Sequence, residues 1–401
     1  MGFNPMKERG IPIENQLRNW SEMNVKPYDK HSVHPYTRTR VILMNGIEVE
    51  GALFSHQMAR HIDDLELKRK LALTRRIEQQ QQKAVNWLIP ADESALEVTI
   101  GYEQVAVDLT AYLARTEIDP YIKQAFDFGL LEDFDHLYRY ANLLSLTQEK
   151  RAEEITGEYT EITVGRPTIA EHRHPFDEVR RHYDKDTADI LTMLHCLTLL
   201  AAEQQTMNFY MNVGSQAKET TGRGLYLEIA QIEEQHVTHY ESLLDPRATW
   251  FEKLVLHEYN ECYLYYSLMQ QEDNQQIKKL WNLHLDMEVE HLRLACDLMR
   301  KYEKREPEKI FLSDLPELTL FQSNIDYVRD IMSKQTFLTG HETEFVPLEQ
   351  IPKDARYYEY QRMVNGDEVP SQKVIEQHVQ ARGVEYRHEI AGPHPVERYR
   401  I

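Results

Sequence analysis

Cysteine, glycine and proline are scarce in this chain, and basic residues are outnumbered by acidic ones. There are three cysteines, Cys196, Cys262 and Cys296, and none belongs to a CxxC pair. That excludes a disulfide framework, a zinc ribbon and a rubredoxin-type iron site. It fits a reducing, cytoplasmic compartment. Lys and Arg total 46 against 66 Asp and Glu, a formal net charge of −20. Such a surface repels a phosphate backbone or an anionic membrane face, so neither nucleic acid nor a membrane is an expected partner. Apolar runs such as Leu197 to Ala202 are too short to span a bilayer. The opening MGFNPMKERG has no apolar segment, and Met6 stands where a myristoylation motif needs Ser or Thr, so no signal or lipid anchor is expected.

What is present is helical periodicity. With only 15 Gly and 16 Pro in 401 residues, apolar side chains recur at i, i+3, i+4 and i+7 over long stretches. The pattern predicts an all-α fold with helices near 40–62, 65–88, 93–117, 120–148, 185–213, 223–244, 247–272 and 275–303. Asp63-Asp64, Pro90-Ala91-Asp92, Asp119-Pro120, Thr220-Thr221-Gly222, Asp245-Pro246 and Asp273-Asn274 mark the turns. An irregular linker over 150–184 divides the eight helices evenly. The expected layout is an N-terminal arm (1–36), a first bundle (37–149), the linker, a second bundle (185–304) and a tail (305–401) with short helices near 315–335 and 370–382.

The second half carries two ExxH pairs, Glu233/His236 and Glu288/His291. This spacing puts a carboxylate and an imidazole on one helix face. A solvated face is the ordinary reading of one such pair, but here the pairs lie inside apolar stripes. One stripe runs Ile277, Trp281, His284, Glu288, His291, Ala295, Met299; another runs Tyr226, Ile229, Glu233, His236, Tyr240. Glu258 and Glu261 share a stripe with Leu254, Cys262 and Tyr265, and Glu203 lies among Leu200, Met207 and Tyr210, with Glu234 at the edge of its own stripe. Buried carboxylates must pair or bind metal, and these stripes hold no Lys or Arg. In an antiparallel hairpin, residues equidistant from the turn share a level. Glu258 and Glu288, 30 positions apart, are centred on Asp273; Glu203 and Glu233 are centred on Lys218. One Glu from each of two helices and ExxH from the other two is a dinuclear ligand set.

This constellation resembles the ferritin-like di-iron carboxylate superfamily, and Glu258-x-x-Glu261 resembles its rubrerythrin-like variant, here without a rubredoxin domain. The resemblance covers 185–303. It implies two tandem ferritin-like four-helix bundles, with two Fe ions, alternatively Mn, in the second. It also implies redox chemistry on O2 or peroxide, as a peroxide reductase or oxidase. Glu203, Glu258 and Glu261 would be terminal ligands, Glu233 and Glu288 bridges, and His236 and His291 the nitrogen donors. Without rubredoxin-like cysteines the electron donor would be a separate protein, and a homodimer is expected. The short connection at Asp245-Pro246 departs from the superfamily, which has a long crossover. The alternative is a metal-handling or structural protein with a relic site.

An ungapped shift of 155 residues superposes the halves. Glu48 falls on Glu203, Glu78 on Glu233, Glu103 on Glu258, Asp133 on Glu288 and His136 on His291, whereas Gln81 meets His236 and Ala106 meets Glu261. This reads as a duplication whose first copy is degenerate, with Glu48, Glu78, Glu103, Asp133 and His136 as a possible second site. The run EHRH at 171–174 reads as a solvated loop. Tyr226, Tyr240 and Tyr265 read as core packing, and His239 and His284 as packing or supporting residues near the site.

Overall fold

The computed structural model describes residues 2–309 and 314–401; Met1 of the expected arm and residues 310–313 of the expected tail lie outside the described residues. The chain is mostly helical. Among the described residues the eight long helices are α1 (Pro35–Arg60), α2 (Leu65–Asn86), α3 (Ala95–Thr116), α4 (Pro120–Gln148), α5 (Ile190–Val213), α6 (Thr220–Glu241), α7 (Trp250–Gln271) and α8 (Gln275–Glu303). The tail adds α9 (Ile325–Gln335), α10 (Arg356–Asn365) and α11 (Pro370–Arg382). It also holds an antiparallel hairpin of β1 (Leu338–His341) and β2 (Glu344–Pro347), with Thr339 opposite Val346. The hairpin and α10 were not expected from the sequence. No helix among the described residues is long and apolar enough to cross a membrane.

The helix ends repeat with the same 155-residue shift. Ser94 and Thr249 both form capping boxes, with Glu97 and Glu252 respectively. Asp119 and Asn274 cap α4 and α8 by accepting from two backbone amides each. Both of those helices end in a left-handed residue, Glu149 and Lys304. Each such cap satisfies amides that would otherwise be unbonded.

The compact units do not follow the two halves of the sequence. Unit 1 comprises 1–91, 183–201 and 244–320; unit 2 comprises 92–182, 202–243 and 321–401. Unit 1 therefore holds the hairpins α1–α2 and α7–α8, and α1 also packs on α7. Unit 2 holds α3–α4 with α6 and the second half of α5, the division falling between Ala201 and Ala202. This differs from the expected bundles at 37–149 and 185–304. The reason is geometric: turn positions fix levels within a hairpin, but do not say which hairpins pair. The segment expected as a linker, 150–184, lies almost wholly in unit 2. There it is the long connection between α4 and α5, which leaves Asp245-Pro246 as a link between hairpins of different units.

Each core is apolar around a polar layer. In unit 1, Val41, Leu43, Met44, Ile77, Val255, Leu264 and Trp281 are fully buried; in unit 2, Leu113, Phe126, Leu130, Leu137 and Ile229 are. The three cysteines are buried and are not joined in disulfides.

Candidate metal centres

In unit 2 the carboxylates of Glu103 (α3), Asp133 (α4), Glu203 (α5) and Glu233 (α6) converge with the imidazoles of His136 (α4) and His236 (α6). All six are buried. They form two groups able to hold a cation, Asp133/Glu203/Glu233/His236 and Glu103/His136/Glu233, the donor atoms of each lying within 4.8 Å of one another. Glu233 belongs to both. Its Oε1 is 3.1 Å from His136 Nδ1 and its Oε2 is 3.2 Å from His236 Nδ1. His236 Nδ1 also lies 3.2 Å from Asp133 Oδ1 and 3.7 Å from Glu203 Oε2.

The outer nitrogen of each imidazole faces a further carboxylate. His236 Nε2 is 3.0 Å from Glu132, and His136 Nε2 is 2.9 Å from Glu171. Such backing fixes which nitrogen points inward and raises its basicity. Glu132 is held by Arg173, through two contacts of 2.5 and 2.8 Å, and by Arg166 at 3.2 Å. Burial pushes Glu132 up, but Arg173 prevails and holds it well below the usual carboxylate range. The run EHRH, expected in solvent, is mostly interior: Glu171 backs His136, His172 pairs with Glu228, and Arg173 joins Glu132 and Glu178. The sequence reading missed this because acidic and basic side chains that neutralise one another look solvated when taken singly.

In unit 1 the donors are Glu48 (α1), Glu78 (α2), Glu258 and Glu261 (α7), and Glu288 and His291 (α8), all buried. They too form two groups, Glu78/Glu258/His291 and Glu48/Glu261/Glu288. His291 Nδ1 is 2.9 Å from Glu288 Oε2 and 3.8 Å from Glu258. Gln81 donates to the other oxygen of Glu288. Glu261 has room because Gly51 faces it; a Cβ there would lie 2.7 Å from Glu261 Oε1. Tyr265 donates to Glu48 and lies 2.9 Å from His284 Nδ1; in unit 2, Tyr210 donates to Glu103 at 2.5 Å. Glu234 is exposed and takes no part, and His239 bonds the Ala125 carbonyl.

Every residue expected to be a ligand thus lies in one of these two clusters, but the seven expected to share one site are divided. Glu203, Glu233 and His236 are in unit 2, joined by Glu103, Asp133 and His136. Glu258, Glu261, Glu288 and His291 are in unit 1, joined by Glu48 and Glu78. The sequence reading did not find Glu132, Glu171 or Gln16, whose Oε1 lies 2.7 Å from His291 Nε2.

The electrostatics of both clusters would suit a cation. Burial, then the neighbouring acid, pushes Glu48, Glu103, Glu203, Glu258 and Glu261 well above the usual carboxylate range. Burial likewise lifts Glu78 to about 7. Burial opposes protonation of His291, but Glu288 outweighs it and raises the imidazole to about 10. Both oxygens of Glu203 and one each of Glu48, Glu78, Glu103, Glu258 and Glu261 have no hydrogen-bond partner among the described residues. Buried carboxylate oxygens without partners cost several kcal/mol, of order, unless a cation compensates them. The donor set of carboxylates with imidazole is one that a metal ion can bind.

Comparison with protein-family models, curated proteins and solved structures gave no match.

Proposed function

We propose that the chain is a ferritin-like protein of two four-helix bundles, each binding a pair of iron or manganese ions, and that it acts as an oxidoreductase on O2 or peroxide. The supporting observation is that four helices in each unit direct buried carboxylates into two adjacent donor groups, three of the four contributing oxygens without a hydrogen-bond partner among the described residues. Unit 2 has the fuller set, with a carboxylate from α3 and α5 and an acid-x-x-His pair on α4 and α6. A bound metal pair would supply redox cycling and Lewis acidity. Glu233 would bridge, His136 and His236 would present Nδ1 inward, and Glu132 and Glu171 would hold those rings in orientation. The buried positions keep bulk water from the donors. The electron donor is a separate protein, and a homodimer remains the expected assembly.

The test is metal content per chain by elemental mass spectrometry, after anaerobic loading with Fe(II) or Mn(II), followed by peroxide and O2 consumption. One ion per donor group, two in each unit, is expected. Absence of bound metal in both preparations would overturn the reading. Metal uptake without turnover would leave metal handling as the function.

A further inference from the structure

The N-terminal arm, expected only as an irregular extension, is laced to the helix bearing Glu288 and His291. Ile11 N–H donates to the Asp286 carbonyl at 2.7 Å. Gly10 lies so close to α8 that a Cβ would stand 2.5 Å from Asp286 O and 2.6 Å from Glu290 N, both backbone atoms. Further along, Arg18 and Gln80 exchange two hydrogen bonds of 2.9 and 3.0 Å, tying the arm to α2 as well. Between these anchors stands Gln16, 2% exposed. Its Nε2 donates to the carbonyls of Ile11 at 2.6 Å and Met287 at 3.2 Å. The amide orientation is thereby fixed, and Oε1 is left as an acceptor 2.7 Å from His291 Nε2. An acceptor there requires Nε2 to carry a proton, which leaves Nδ1, facing Glu288 and Glu258, as the nitrogen that a cation can bind in place of a proton.

We propose that Gln16 is a positioning residue of the unit 1 metal centre, and that the arm is a structural part of that centre. The proposal rests on the metal-binding reading above. In unit 2 the same task falls to carboxylates from the unit's own body, Glu132 and Glu171. In unit 1 it falls to a neutral amide delivered by a strap. Gly10 sets how closely the strap lies, and Gln16 sets which face of His291 is offered to a cation.

Two measurements on the full-length chain test this. The first needs no metal: in 15N-histidine-labelled, chelator-treated protein, the His291 Nε2–H should be protected from solvent exchange. The signal is assigned by its loss in His291→Gln. Protection should vanish in Gln16→Leu and in Gly10→Val, the second of which lifts the arm without altering Gln16. Unchanged protection would overturn the proposal. The second is Mn(II) titration. Gln16→Leu should weaken the unit 1 ions about 10- to 100-fold, the usual effect of losing such a partner, with unit 2 unaffected. In a His291→Ala background, Gln16→Leu should have no further effect, because it acts through the imidazole. Equal weakening in both backgrounds would make Gln16 a general packing residue and sink the proposal. Wild-type protein that binds no Mn(II) or Fe(II) would fail the metal reading, and with it this role, even if the proton remained protected.

Discussion

Compared position by position, the unit 1 centre exchanges an imidazole for an amide and gains a carboxylate. Gln81 stands at the place matched by His236, and Glu261 at the place matched by Ala106. The space for Glu261 comes from Gly51, whose match in unit 2 is Thr206. The result is five carboxylates and one imidazole against four carboxylates and two imidazoles. A pair of divalent cations would neutralise the four acids of unit 2 and would leave surplus negative charge in unit 1, favouring ions of higher charge there. The supports differ in the same sense, since unit 2 backs its rings with acids, one of them locked by two arginines, and unit 1 uses Gln16. The two clusters thus occupy matched positions and differ in their electrostatics.

The sharpest way to break the comparison is Glu233→Ala. Glu233 belongs to both donor groups of unit 2, so that unit should lose its ions while unit 1 keeps its own. Metal content per chain should fall by about half; an equal loss from both units would mean that the centres are not independent. Next in size is Arg173→Leu, which removes the main partner of buried Glu132. Leaving a buried charge short of its partner costs about 3–5 kcal/mol, read as a lower urea midpoint. A change under about 1 kcal/mol would show that Arg166 alone neutralises Glu132.

Protons separate the two states of unit 1. Glu78 is lifted by burial from 4.5 to about 7. Between those values the folded, metal-free chain binds a proton that the unfolded chain has released. Its stability is thus fully present below pH 4.5 and falls as pH rises toward 7. Metal binds the deprotonated acids, so loaded protein should show the opposite slope. Melting temperatures of chelated and Mn(II)-loaded protein from pH 5 to 8 check this, and parallel curves would refute it. The smallest effect is expected from Gln81→His, which supplies the imidazole that unit 1 lacks. It should tighten one unit 1 ion by about tenfold (~1.4 kcal/mol) in Mn(II) titrations; weaker binding would show that the amide bond from Gln81 to Glu288 matters more than a second imidazole.

Much of this was legible in the sequence, and the limits have identifiable causes. The eight helices emerged from their period and caps, because Asp119-Pro120 and Asn274 are strong local signals. The levels of the ligands emerged because each hairpin places its two acids 30 positions apart around a turn. That very regularity hid the pairing: Glu233 fits opposite Asp133 as well as opposite Glu288, and only packing decides. Glu132 was legible in principle, since it precedes Asp133 in a helix with no exposed face. Gln16 was not, because nothing in an aperiodic arm marks one amide as a partner for a histidine 275 positions away.

The interleaving of the two units also bears on how the chain is made. Helices α1 and α2 leave the ribosome with their apolar stripe and Glu48 and Glu78, yet the helices that complete their unit begin only at Trp250. At ~5–20 residues per second that is a wait on the order of 10–30 s. Throughout that interval the nascent hairpin must stay soluble without its mate, so a chaperone holding the emerging chain, or a slow stretch of translation before residue 250, would have more influence on the yield of this protein than on one whose halves fold in order.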